Sequence, residues 1–92
     1  MHETLALNLL SEGESAYVTE LNNDDSMLQR LKDLGLIRGT YVTCLFRSPA
    51  GNPAAYLIRG AVIALRGRDA SQIQVQPVPA ASAAAEVPAS WA

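Results

Sequence analysis

The 92-residue chain has a single cysteine, Cys44, and a single histidine, His2. It can close no internal disulfide, and one thiol and one imidazole so far apart in sequence form neither a metal-ligand cluster nor a Cys/His dyad. Cys44 therefore reads as a core residue. Although 49% of the residues are hydrophobic, no apolar run approaches the roughly 18–20 residues that span a bilayer. The first residues, Met1-His2-Glu3-Thr4, lack the basic start and small-residue cleavage site of a secretory signal, so the expectation is a soluble, cytoplasmic domain. A Gly-Lys-Ser/Thr phosphate loop is also missing, as is any Ser/His/Asp arrangement with a candidate for each role. The expectation is a protein that binds no nucleotide, needs no cofactor and is not an enzyme. A chain this short buries a modest core with little room for an enclosed cleft, which favours a binding role.

Lysine and arginine are absent from the first 25 positions, which hold Glu3, Glu12, Glu14, Glu20, Asp24 and Asp25. Positions 26–76 reverse this, with Arg30, Lys32, Arg38, Arg47, Arg59, Arg66 and Arg68 against Asp33 and Asp69. A folded domain can thus carry an acidic side and a basic side that orient a charged partner. The pairs Glu12/Glu14 and Asp24/Asp25 fall in turns, where acidic residues face solvent or cap helices, so they are read as structural and not as metal or catalytic pairs. A metal site built from His2 and nearby acids across an oligomer is the weaker alternative. Dispersed basic residues without a recognition helix or interleaved aromatics do not make a nucleic-acid stripe.

Along the chain, residues 4–10 form a short extended lead-in with apolar positions 5, 7 and 9. Residues 16–21 read as a strand, followed by the turn Asn22-Asn23-Asp24-Asp25. Met27, Leu28, Leu31 and Leu34 then recur at helical spacing after a capping Asp24, Asp25 or Ser26, and Gly35 supplies the stop. Residues 41–47 are the clearest strand, Ser48-Pro49-Ala50-Gly51-Asn52-Pro53 is a loop, and residues 56–59 read as the return strand. After the Arg59-Gly60 interruption, residues 62–66 resume as a strand. Ala70-Ser71-Gln72 reads as a helical turn capped by Asp69, and residues 73–76 close the pattern. Several short strands with one inserted helix predict a mainly β domain over residues 1–76, a small barrel closed on itself. Residues 77–92 form a tail rich in proline and alanine, expected to lack order, with Trp91 its only large side chain.

Leu31-Lys32-Asp33-Leu34-Gly35-Leu36-Ile37-Arg38-Gly39-Thr40-Tyr41-Val42 resembles the helix, glycine break and strand entry of the FeoA family, small accessory proteins of bacterial ferrous-iron uptake. The loop at 48–53, the Arg59-Gly60 step leading to Ala64-Leu65-Arg66, and Ile73-Gln74-Val75 follow in the family's order. Arg38 stands where family members often have proline, and Ala61 where they often have a larger residue. The resemblance implies an SH3-like β-barrel with one short inserted α-helix. It further implies a regulatory role in iron transport through docking on the cytoplasmic part of the FeoB transporter. A second expectation is an SH3-like module related to the C-terminal domain of iron-dependent transcriptional repressors, although the chain lacks the DNA-binding helices that precede such a module. For docking, Arg38, Arg59, Arg66 and Arg68 offer directional guanidinium contacts with carboxylates. Tyr41 and Tyr56, read as outward-facing on their strands, offer rigid contact area. Of Leu36 and Ile37, apolar residues in a connector, one is expected to be buried and the other to be a contact.

Overall fold

The computed structural model describes residues 3–49 and 52–79. Expectations placed on His2, on Ala50 and Gly51 of the loop, and on residues 80–92 with Trp91 lie outside the described residues. The chain runs through β1 (Leu5–Ala6), a 3-10 turn (Leu7–Leu9), β2 (Ser15–Leu21), α1 (Asp25–Asp33), β3 (Tyr41–Arg47), β4 (Ala54–Ile58), β5 (Ala61–Leu65), α2 (Gly67–Ala70) and β6 (Ile73–Pro77). All six strands join one antiparallel sheet in the order β1-β6-β2-β3-β4-β5. The mainly β, SH3-like fold holds, but the expected closure does not. Among the described residues β1 and β5 are unpaired edges, because β1 turns into the 3-10 turn after two residues and β5 faces α1 across a groove.

The period-2 alternation of the strands sends one set of side chains to a shared core. Ala16 and Val18 of β2, Val42 and Cys44 of β3, Tyr56 and Ile58 of β4, and Ile73 and Val75 of β6 all turn inward, joined by Leu31 of α1 and by Leu7 and Leu10. The 3-10 turn packs against α2 and β6, filling one end of the core.

Helix α1 starts and stops as its sequence demands. Asp24 is the N-cap, its carboxylate accepting from the Met27 N–H at 2.8 Å. At the other end the Leu36 N–H donates to the Leu31 carbonyl (2.8 Å) and the Gly35 N–H to Lys32 (2.9 Å). These are the two bonds of a Schellman stop, with Gly35 at φ +89° in the left-handed region. The stem of Arg59 lies directly over Gly35, so that a Cβ at position 35 would run into Arg59 Cδ. Arg59 itself has φ +50° and Gly60 φ +84°, the pair of positive angles that closes a two-residue hairpin between β4 and β5.

Boundaries differ from the sequence reading in two instructive places. The β4 strand begins at Ala54 rather than Tyr56, because Ala54 and Ala55 pair with Leu65 and Ala64 and are buried. The short helix α2 begins at Gly67 with Arg66 at its N-cap, so Asp69 lies within the turn and does not cap it. Asp69 instead offers its backbone carbonyl to the Asn23 side chain at 3.0 Å, which ties the start of α1 to α2.

Candidate functional site

The outward set of the same strands assembles an exposed surface with several large apolar side chains. Tyr17 pairs in register with Tyr41, their rings edge-on at 5.1 Å. Thr43 pairs with Leu57, and Leu57 with Val62. Past a bulge between Cys44 and Phe46, Phe46 pairs with Ala55, and Ala55 with Ala64. The bulge inserts Leu45 as an unpaired extra residue, so two consecutive large apolar side chains, Leu45 and Phe46, end up exposed. Val62 is 64% exposed and Phe46 56%, against 1% for Tyr56 on the opposite side of the sheet. Three cross-strand rows therefore run across the outer side of the sheet: Tyr17–Tyr41; a middle row that is polar at Thr43, whose hydroxyl shares a hydrogen bond of 2.8 Å with that of Ser15, and apolar at Leu57 and Val62; and Phe46–Ala55–Ala64, in which the small Ala55 is buried. A shallow depression beside Tyr41, Thr43 and Leu57 is bordered by Arg59 and Gly60.

The connector from α1 to β3 is held by Thr40. Its hydroxyl donates to the Gly35 carbonyl and accepts from the Ile37 N–H, each at 3.0 Å. The connector is also pinned to β2 by Gly39 N–H to Val18 O (2.7 Å) and Val18 N–H to Thr40 O (2.9 Å). This clasp turns Leu36 into the core, where it meets Leu31, and leaves Ile37 46% exposed. The expected split between these two residues is thereby assigned. Ile37 and Arg38 line a mostly apolar groove of about 360 Å³ with Leu21, Leu28 and Lys32 on one flank of α1.

The eight residues expected to dock a partner thus fall into different places. Leu36 and Tyr56 are core residues, and the outward reading of Tyr56 is corrected. Its ring sits between Cys44 of β3 and Ile63 of β5 in the ladder, and its hydroxyl donates to the Leu7 carbonyl at 3.4 Å. Burial, with a smaller push from Cys44, raises its hydroxyl from the ordinary 10.0 to about 12. Ile37 and Arg38 lie beside α1, and Tyr41 and Arg59 border the outer sheet face. Arg66 and Arg68 line a third groove, between α1 and β5, where Arg30 joins them. Neither Arg30 nor the exposed Leu45, Phe46, Leu57 and Val62 stood out in the sequence. The row partners become visible only once strand register is known, and Arg30 only once α1 is docked.

The acidic pairs have local uses. Glu12 accepts from the Arg47 N–H and Glu14 from the Ser11 N–H, both at 2.7 Å, so they fix the turn between the 3-10 turn and β2. Cys44 is fully buried, and desolvation holds its thiol above the usual range, with Arg47 opposing. Among the described residues no cluster of three or more His, Cys, Asp or Glu side chains is placed to hold a metal. No helix among them is long and apolar enough to cross a membrane.

A family model described as the FeoA domain matches residues 5–77. The solution structure of the FeoA protein from Chlorobium tepidum is 31% identical and superposes with a TM-score of 0.78, covering 82% of this chain and 71% of that one. The FeoA-like protein from Clostridium acetobutylicum is 25% identical with a TM-score of 0.77, covering 86% and 92% of the two chains. A manganese-dependent transcriptional repressor, 19% identical, also superposes at 0.77; the overlap is 85% of this chain but 44% of the repressor, and the likeness is one of fold alone. No match was found among curated proteins. The family match runs from the first strand to the last, over the Schellman stop, the Thr40 clasp and the Arg59-Gly60 hairpin, and the chain belongs to the FeoA family.

Proposed function

We propose that this protein is a non-enzymatic, cytoplasmic accessory of bacterial ferrous-iron transport that docks on the cytoplasmic part of an FeoB-type transporter through the outer face of β2 to β5. The observation that carries the reading is the set of large apolar and aromatic side chains on the outer face, Tyr17, Tyr41, Phe46, Leu57 and Val62, all exposed. Contiguous apolar surface on a small domain marks a place where another protein sits. Arg59 at its border supplies the directional charge that such faces use for orientation. Membership of the FeoA family supports the transport context.

The decisive measurement is calorimetry of the full chain against the soluble cytoplasmic domain of the transporter, in each nucleotide state. Wild type should bind, and a Tyr41→Ala, Leu57→Ala double variant should lose at least about tenfold in affinity, the penalty of removing one central anchor. Arg59→Glu should weaken binding and reduce its salt dependence. Full affinity retained by the double variant would reject this face as the docking surface.

A further inference from the structure

Antiparallel pairing through a two-residue turn decides which backbone groups of β5 are left over. The Ile58–Ala61 pair closes the turn, so Ala61, Ile63 and Leu65 direct their N–H and C=O groups toward β4, whereas Val62 and Ala64 direct theirs away from it. As β5 ends the sheet, no second strand receives them. Among the described residues no backbone bond from another element reaches them either. The strand reads Ala-Val-Ile-Ala-Leu, with none of the lysine, proline or bulge that natural edge strands use to discourage pairing.

This edge borders the groove of about 590 Å³ between β5 and α1. Its walls combine the exposed apolar side chains of Leu34 and Val62 with Arg30, Arg66 and Arg68, against the single carboxylate of Asp69. Among the described residues no hydrogen bond or ion pair engages the three guanidinium groups. Free ladder groups, an apolar wall and excess unpartnered arginine within one groove specify a ligand.

We propose that the β5 edge accepts an extended segment of a partner protein as a seventh strand, in which acidic side chains alternate with apolar ones. The segment's backbone pairs with Val62 and Ala64, its apolar side chains extend the outer row of Val62, and its carboxylates, on the opposite face toward α1, take the fork contacts of Arg30 and the flanking Arg66 and Arg68. A second copy of this chain fits less well. Antiparallel pairing of β5 with itself about Ile63 sets Arg66 of one copy opposite Gly60 of the other, next to Arg59, and so brings cation toward cation at both ends. The edge shares Val62 with the outer sheet face, but Arg30, Arg66 and Arg68 lie outside that face, so charge reversal at Arg66 and Arg68 tests this proposal separately from docking on the transporter.

The test is a nitrogen-15 NMR titration of the full chain with a short synthetic peptide alternating glutamate and valine, and with a lysine-valine counterpart. The expected result is saturable amide shifts at Val62, Ala64, Arg66 and Arg30, with slowed hydrogen exchange at Val62 and Ala64. The lysine peptide should bind about tenfold or more weakly, from like-charge repulsion. Ala64→Pro, which deletes an outward N–H and leaves the β4 ladder intact, should abolish the exchange protection. An Arg66→Glu, Arg68→Glu variant, altered only at exposed side chains, should reverse the peptide preference and keeps the test valid if the proline variant does not fold. The proposal is overturned by equal binding of both peptides, by shifts confined to other strands, by absence of saturable shifts, or by sedimentation showing that these amides respond to self-association.

Discussion

The two surfaces of β2, β3, β4 and β5 are built from the same kinds of residue and differ in what covers them. Tyr41 and Tyr56 illustrate the difference most sharply. Both are tyrosines on neighbouring antiparallel strands, but the first packs edge-on against Tyr17 at the solvent side and the second is enclosed between Cys44 and Ile63. The inward surface is saturated, because each side chain there meets partners from several strands and from α1. The outward surface meets partners only along its own rows, which leaves its apolar area available. Composition therefore says little about which tyrosine is enclosed and which is exposed; strand phase decides it.

Truncation should separate the two surfaces by stability. Tyr56→Ala should cost about 3–5 kcal/mol in denaturant unfolding, the range for emptying a buried aromatic site, and on a domain this small it should leave a large unfolded fraction. A loss below about 1 kcal/mol would mean that the inner surface is not the continuous core described.

A smaller effect should appear in alkali. The Tyr56 hydroxyl titrates in the unfolded chain near its ordinary 10.0 and in the folded protein at about 12, so above pH 10 the unfolded state has released a proton that the native state retains. The Tyr56 contribution should then be at its full value below pH 10 and be lost as the pH rises toward 12, while the buried Cys44 thiol, also shifted upward, begins a further loss already from pH 9. A denaturant midpoint that stays level from pH 9 to 12 in the wild type would contradict the burial of both groups.

The smallest change in stability should come from the outer surface. Tyr41→Ala should cost about 0.5–1.5 kcal/mol, the worth of its edge-on pair with Tyr17, and Leu57→Ala about 1 kcal/mol or less, while both reduce partner binding. Should either cost as much as Tyr56→Ala, the outward rows would be part of the core and the contact surface would have to be sought elsewhere.

Much of the fold was legible before the structure. The stop of helix α1 was legible in Gly35 and its start was narrowed to Asp24, Asp25 or Ser26, of which the structure uses Asp24, and β3 was bounded correctly from its own residues, since capping and turn chemistry are local. The inward place of Tyr56 was not legible. Ala54, Ala55 and Tyr56 are all buried in succession, so β4 carries no clean alternation, and the Leu45 bulge shifts its partner's phase. The closed barrel failed for a similar reason, because closure depends on pairing between the two edge strands, β1 and β5, and no local signal reports it. Of the candidate site, the arginines at 38, 59, 66 and 68 could be named from sequence, but their separation into three surfaces, and the addition of Arg30, follow from tertiary packing alone.

The stem of Arg59 resting on Gly35 couples two positions that are 24 residues apart in the chain. Position 35 has no space for a β-carbon while a long side chain occupies 59, and the left-handed backbone at 35 discourages one in any case. Related sequences should therefore treat the two sites as one character: where 35 acquires a side chain, 59 should shrink in the same lineage, and an alignment deep enough to score paired substitutions should recover this link between helix end and hairpin without reference to any structure.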